Sequence, residues 1–295
     1  MNKKRLIVIT GPTASGKSAL AVTLARRFNT EIISADSRQI YHGIPIVTAM
    51  PSAEEQAAAR HHLIDMLPLE SYYSAAMFEQ DALRLLRQHL FRQCDTAIVC
   101  GGSMMYVDAL CNGIDQLPDV PPSLRAELAL RHREEGDAWL LDLLLRLDPD
   151  YFYKVDRNNI KRVFHAVEIS LTAGKPYSSM LTGQKKEREF SIEKYYIDLP
   201  RETLFSRINQ RVDTMVANGL EEEARSVYHL RRLNSLNTVG LKEMFAMFDG
   251  TMTRSVAIER IKKNTRVFAK KQLTWLRRSA DAIPVDPARP DTIPS

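Results

Sequence analysis

At 295 residues with 44% apolar content, the chain can bury a large core and is long enough for about two domains. Its formal charge of +5 and pI near 9.0 suit an anionic partner without requiring one. No apolar run approaches the roughly 20 residues of a membrane span, and the apolar run near Met1 is too short for a signal peptide and leads straight into a glycine-rich loop, so a soluble, cytoplasmic protein is expected. The spacing of the three cysteines, Cys94, Cys100 and Cys111, suits neither a zinc site nor a disulfide framework. Cys100, closing an apolar stretch, reads as a reduced core residue.

The first element is KRLIVIT at 4–10, a β-rich apolar run expected to be a buried strand. GPTASGKSAL follows at 11–20, a glycine, four residues, then glycine, lysine and serine. Strand, loop and helix stand in the order a phosphate cradle needs. Backbone N–H groups of Gly11, Pro12, Thr13, Ala14, Ser15, Gly16, Lys17 and Ser18, excepting the proline, would converge on an anion, helped by the positive end of the following helix. Lys17 would reach the outer phosphates, and the Ser18 hydroxyl would ligate Mg²⁺. The pattern is that of a nucleotide-binding, most often ATP-binding, loop, but alone it specifies only a di- or triphosphate.

EIIS at 31–34 and DTAIVC at 95–100 read as further strands, ending in ADSRQIY and GGSMMY. Strands separated by helical stretches imply an α/β fold, a P-loop NTPase-like parallel sheet flanked by helices. Ligands of such folds lie beyond the carboxyl ends of the strands, so Gly11, Asp36 and Gly101 are expected to converge. Residues 113–183 switch to helical periodicity and read as an inserted all-helical domain. KYYIDL at 194–199 returns to strand, giving a core of 1–112 and 184–281. The last long helix covers roughly 253–280. The proline-bearing tail, 282–295, is expected to be disordered.

Charge is unevenly placed. Between 251 and 280 stand nine basic residues and one acid, with Lys262, Arg266 and Lys270 on one helical face. Like charges at that spacing repel, which favours an anionic partner such as nucleic acid. The insertion carries nine basic and eleven acidic residues, with a local cluster at Lys154, Arg157, Lys161, Arg162 and His165.

The strand DTAIVC ends in Gly101 and Gly102, where a P-loop ATPase would place its Mg²⁺-holding acid. The acid after a strand is Asp36. It could activate a hydroxyl for phosphorylation, or another nucleophile while a pyrophosphate departs. HHLID invites a metal reading for His61, His62 and Asp65, but adjacent histidines on an extended segment do not readily face one ion, and a structural role is favoured. Tyr72 and Tyr73 read as packing.

The ordered set GPTASGKSAL, ADSRQIY, IPIVTAMPSAEE, HHLID, GGSMMY, GKPYS, RINQRVDTMVANGLEEE, NTVGLKEMF and TRVFAKKQLTWLR, spanning 11–277, closely resembles the tRNA dimethylallyltransferases. The resemblance implies transfer of a dimethylallyl group from its diphosphate to the exocyclic amine of the adenosine 3′ of the tRNA anticodon, with Mg²⁺ and without ATP consumption. It implies that Asp36 is the base, that Lys17 and Arg211 act on the phosphates, and that Asp36, Ser37, Arg38 and Gln39 read a flipped-out base. It further places Ser103, Arg125, Lys161, Arg162, His165, Asn237, Gly240, Lys242, Arg266, Lys270, Lys271, Gln272 and Arg277 on the tRNA, with the insertion contacting the anticodon stem-loop. No obligate protein partner is implied, and a monomer is expected. The chain departs from the family's usual threonine at Ser103, arginine at His165 and Lys271, tyrosine at Leu241 and glutamine at Val267. Prenylation of a free adenine nucleotide, a small-molecule kinase and a non-catalytic RNA-binding module are the alternatives; the insertion and basic helix argue against the first, and intact Lys17, Ser18 and Asp36 against the last.

Overall fold

Residues 4–279 and 281–294 are described by a computed structural model. They form two compact units, one made of the chain up to Cys111 and from Glu187 onward, the other of Asn112–Lys186.

The first unit is built on six parallel strands: β1 (Arg5–Thr10), β2 (Ile32–Ser34), β3 (His61–His62), β4 (Thr96–Gly101), β5 (Ser191–Ile197) and β6 (Ala282–Val285). Their order across the sheet is β3-β2-β4-β1-β5-β6, every pairing parallel. β1 and β4 are almost entirely buried, as continuous apolar runs are when helices cover both faces of a sheet. Their register brings Thr10 level with Gly101, and Cys100 with Ser34, so the loops carrying Gly11, Asp36 and Gly102 leave the sheet side by side. Gly101 is required here: a Cβ on it would lie 2.2 Å from the Ala35 carbonyl oxygen. Cys100 is a buried free thiol, and burial pushes its pKa up to about 12.

Of the tail expected to be disordered, residues 282–294 are instead packed on the core, and Ser295 lies outside the described residues. Residues 282–285 form β6 on the edge of the sheet, and Ile293 is fully buried in the core beside β1 and the helix Lys17–Arg27. Arg27 fastens the segment by donating to the carbonyls of Pro290 (3.2 Å) and Ile293 (2.9 Å). Prolines that read as breakers are tolerated because an edge strand does not need every N–H in its ladder. β3, of two residues, is too short to carry an alternation signal. The returning strand starts at Ser191, three residues ahead of the expected stretch.

The second unit extends the expected 113–183 insertion slightly, closed at its base by Lys186 N–H donating to Asn112 O at 2.7 Å. Its helices are Pro122–Leu147, bent at Gly136 where φ is +80°, then Pro149–Lys154 and Ile160–Ala173. Leu128, Leu140, Leu144, Val163 and Val167 form its core. No helix among the described residues is long and apolar enough to cross a membrane.

Candidate active site

The phosphate cradle follows from the local sequence. β1 ends at Thr10, Ala14 (φ 63°) and Gly16 (φ 97°) take left-handed backbone, and the helix Lys17–Arg27 starts on Gly16. Lys17 Nζ donates to Pro12 O at 3.4 Å. Desolvation holds the Lys17 ammonium below the ordinary lysine range, with Arg211 adding repulsion and Cys100 and Asp36 opposing it. Ser15 Oγ is fully buried and finds no hydrogen-bond partner among the described residues. An unpartnered hydroxyl of that kind inside a loop rich in N–H groups suits a ligand rich in acceptor oxygens.

A cavity of about 410 Å³ joins this loop to the ends of β2 and β4, with Lys17, Ser18, Asp36, Ser103, Arg211 and Lys242 in its wall. A second cavity, of about 810 Å³, shares Lys17, Ser18 and Arg211 and adds Arg207. The cradle thus forms a wall common to two chambers. Asp36 Oδ1 accepts the N–H of Arg38 (2.9 Å) and Gln39 (3.4 Å), which fixes the carboxylate and leaves Oδ2 for a substrate. Ser103 Oγ accepts Ser37 N–H at 2.8 Å, tying the Asp36 loop to the end of β4.

Several residues expected to touch RNA are engaged within the protein. The Gln39 amide is saturated, accepting from Ser34 Oγ and donating to the carbonyls of Thr48 and Ala49. Arg38 donates to the carbonyls of Asn234 (2.8 Å) and Ser235 (3.2 Å), bracing the loop that presents Asn237. Gln272 is buried and bridges the cradle: its Oε1 accepts Thr13 N–H at 3.0 Å and its Nε2 donates to Gly102 O at 2.8 Å. Asn237, Gly240 and Lys242 line the 410 Å³ cavity.

The helix Arg254–Leu276 carries the basic run. Arg266 donates to Asn209 at 2.5 Å and lies near the Phe205 ring, which Lys270 also approaches at 5.6 Å. Lys271 is exposed, and Arg277, also exposed, stands 3.3 Å from Asp198. Exposed Val267 and Phe268 supply an apolar strip beside these cations. Leu241 is fully buried in the cluster formed by Ile40, Tyr41 and Met244.

Within the second unit, Lys161 and Arg162 are exposed, whereas Arg125 binds Glu168 through two hydrogen bonds of 3.0 and 3.1 Å and His165 approaches the same carboxylate at 3.2 Å. Burial would raise the Glu168 pKa, but these donors outweigh it and hold the carboxyl below its ordinary value.

HHLID does not assemble. His61 meets the Ala59 carbonyl, Asp65 meets His42, and His62 meets Glu31. Tyr73 donates to Asp81 and packs edge-on against Tyr106. Sequence reading missed Arg207, whose Nη1 donates to Ser15 O at 3.3 Å; its placement four residues before Arg211 on the helix Arg201–Ala217 was the available signal. It also missed Glu223, which accepts the N–H groups of Ile46 (2.7 Å) and Val47 (2.8 Å) and so caps the short helix Pro45–Thr48 that follows the Asp36 turn.

A family model described as IPP transferase matches residues 39–279. The tRNA dimethylallyltransferase 2 of Parabacteroides distasonis is 49% identical over 276 residues, covering 94% of this chain and 92% of that protein. The crystal structure of the tRNA isopentenylpyrophosphate transferase of Bacillus halodurans matches with a TM-score of 0.71 at 35% identity, over 97% of this chain and 90% of that one. A eukaryotic dimethylallyltransferase, crystallised acting on tRNA, matches with a TM-score of 0.82 at 27% identity, over 96% of this chain and 74% of that one.

Proposed function

The chain belongs to the IPP transferase family and is a tRNA dimethylallyltransferase, and from that premise we propose that dimethylallyl diphosphate lies across the cradle while the adenosine 3′ of the anticodon enters beside Asp36. The observation that carries this reading is one cavity walled by Lys17, Ser18, Asp36 and Arg211. An aromatic amine is a weak nucleophile, and Asp36 Oδ2, its partner oxygen already held by two backbone donors, accepts a hydrogen bond from it. The amine nitrogen bonds to the allylic carbon, that carbon's bond to the diphosphate oxygen breaks with its electron pair, and the amine proton passes to Asp36.

Negative charge grows on the departing diphosphate. Lys17, Arg211 and the cradle N–H groups are positioned to meet it, and the desolvation of the two cations strengthens such interactions. The single hydroxyl of Ser18 fits Mg²⁺, which favours phosphate and water oxygens over a full protein cage; bound there, the ion would supply further charge neutralisation. The second cavity, sharing the cradle wall but not Asp36, offers the donor a separate route to the cradle.

An adenosine stacked in a stem-loop does not reach this cleft and has to flip, which costs about a few kcal/mol. Lys242 in the cavity wall and the cations of the basic helix are the groups that offset it, through the charge of the RNA backbone. The test is transfer of label from dimethylallyl diphosphate, with Mg²⁺, to unmodified tRNA bearing adenosine 3′ of its anticodon, run beside AMP and an RNA-free ATP control. Label on tRNA alone is expected. Asp36→Ala should retain RNA binding and lose transfer by about 10²–10⁴-fold; transfer persisting in that variant would remove Asp36 from the mechanism.

A further inference from the structure

A cluster of histidines lies away from the cradle, at the amino-terminal end of β2. β2 and β3 run parallel with Ile33 opposite His62 and Ile32 opposite His61. Side chains alternate between the faces of a strand, so the two adjacent histidines part. His61 joins the wall of the 410 Å³ cavity, and His62 faces the other side with Glu31. His89 arrives from the segment Leu86–Leu90, a π-helical turn. Such turns are rare and concentrate at functional sites, because the extra residue re-aims a side chain that an α-helix would point elsewhere.

The three segments bring Glu31, His62 and His89 ligand atoms all within 4.8 Å of one another. Both imidazoles use Nε2, and both meet the same carboxylate oxygen, His89 at 2.9 Å. Their rings stand edge to face with centroids 5.5 Å apart, which keeps both nitrogens aimed inward. Tetrahedral Zn²⁺ takes histidine nitrogen and carboxylate oxygen at about 2.0–2.2 Å, placing its ligand atoms about 3.3 Å apart. The three ligand atoms already lie within 4.8 Å of one another, and closing to that spacing is the adjustment binding requires. The surroundings also match: Gln93 Nε2 lies 3.2 Å from His89 Nδ1. Half a turn of that amide offers Oε1 to an Nδ1–H, the outer acceptor a metal-bound histidine needs. The side chains are 13%, 23% and 32% exposed for His62, Glu31 and His89, enough for an ion to enter and for water to complete its shell.

We propose that Glu31, His62 and His89 form a binding site for a divalent transition metal of the Zn²⁺ class, with water in the fourth position. Two imidazoles select against Mg²⁺, so this ion is chemically distinct from the one assigned to Ser18. Bound there, the metal ties the two-residue edge strand β3 to β2 and to the turn carrying His89, and so steadies the strand from which His61 enters the cleft wall.

The test uses metal-stripped full-length protein, with excess Mg²⁺ present to occupy the cradle, titrated with Co²⁺ or Zn²⁺ alone. One Co²⁺ per chain is expected, with the intense visible absorption of a four-coordinate site, displaced by Zn²⁺; Zn²⁺ should raise the thermal midpoint. His89→Gln should weaken Zn²⁺ binding by more than about 100-fold, and Gln93→Ala by about 10–100-fold, the range for losing an outer partner. His89→Gln carries the test if His62→Gln fails to fold, since His89 is the more exposed of the two. Absence of stoichiometric binding would mean a metal-free hydrogen-bonded cluster and overturn the proposal, as would binding that survives His89→Gln in a protein with wild-type circular dichroism.

Discussion

Gln272 Oε1 accepts the backbone N–H of Thr13 at 3.0 Å, across 259 residues of sequence. With the second bond of the same amide to Gly102 O, the basic helix is fastened directly to the loop proposed to hold the diphosphate. Gln272→Ala leaves a buried donor and acceptor unpaired, a loss of about 1–3 kcal/mol. The expected outcome is a lower urea midpoint together with a raised KM for dimethylallyl diphosphate. Gln272→Glu keeps an acceptor for Thr13 but sets a carboxylate beside the cradle, so its KM should rise more than that of Gln272→Ala at low salt.

Lys17 is costly to the fold and is the side chain proposed to meet the departing diphosphate. Its folded pKa lies below the ordinary 10.5, chiefly through desolvation. Between that lowered value and 10.5 the unfolded chain binds more protons, so the Lys17 contribution to stability rises with pH across this window. Lys17→Met should remove that rise, unfold at a higher temperature than wild type at neutral pH, and lose about 10²–10³-fold in kcat. Paired thermal melts at neutral and alkaline pH, with a transfer assay, check all three.

Arg207 touches the cradle backbone from the helix that also presents Arg211. If the cradle holds the diphosphate as proposed, removing a cationic donor beside it costs about 1.5–3 kcal/mol, so Arg207→Ala should raise KM for the allyl diphosphate about tenfold or more. Affinity for tRNA, measured without donor, should stay within twofold or so.

Arg125 supports the second unit through Glu168. The Glu168 side chain is 6% exposed and that of Arg125 39%, so truncating the arginine leaves a buried carboxylate short of donors. Arg125→Ala should destabilise this unit by about 1–3 kcal/mol, read as faster hydrogen exchange over 160–173. The Glu168 pKa is held below 4.5, so its contribution is complete above that pH and is lost as pH falls through the lowered value. Glu168→Gln should abolish that acid dependence.

The cradle, Asp36 and the main strands were legible because each is written in a short run: glycines where backbone must turn left-handed, apolar stretches where both faces are covered, an acid just past a strand. The basic helix was legible as charges at helical spacing, and Arg211 only through the family resemblance. The meeting of the cradle, Asp36 and Gly101 in one cavity followed from the rule that ligands lie at the carboxyl ends of parallel strands. The same kind of reading misjudged the tail, since Pro284 and its neighbours look like breakers and nothing local reveals that β5 offers an open edge.

Gln39 and Arg125 show a different gap. The resemblance placed both on RNA, and within the protein their polar atoms are bonded to Thr48, Ala49 and Glu168. Whether a polar side chain meets solvent, ligand or a neighbouring carbonyl depends on what packs against it. The same holds for His62, which parts from His61 by strand alternation and finds Glu31 and His89 through sheet and helix packing. Local spacing is enough to specify a turn, a strand or a charged helix face, because backbone sterics act over a few residues. Which partner each buried polar group takes is settled over tens or hundreds of residues, because desolvation makes an unpaired group too costly and the available partner is brought by packing.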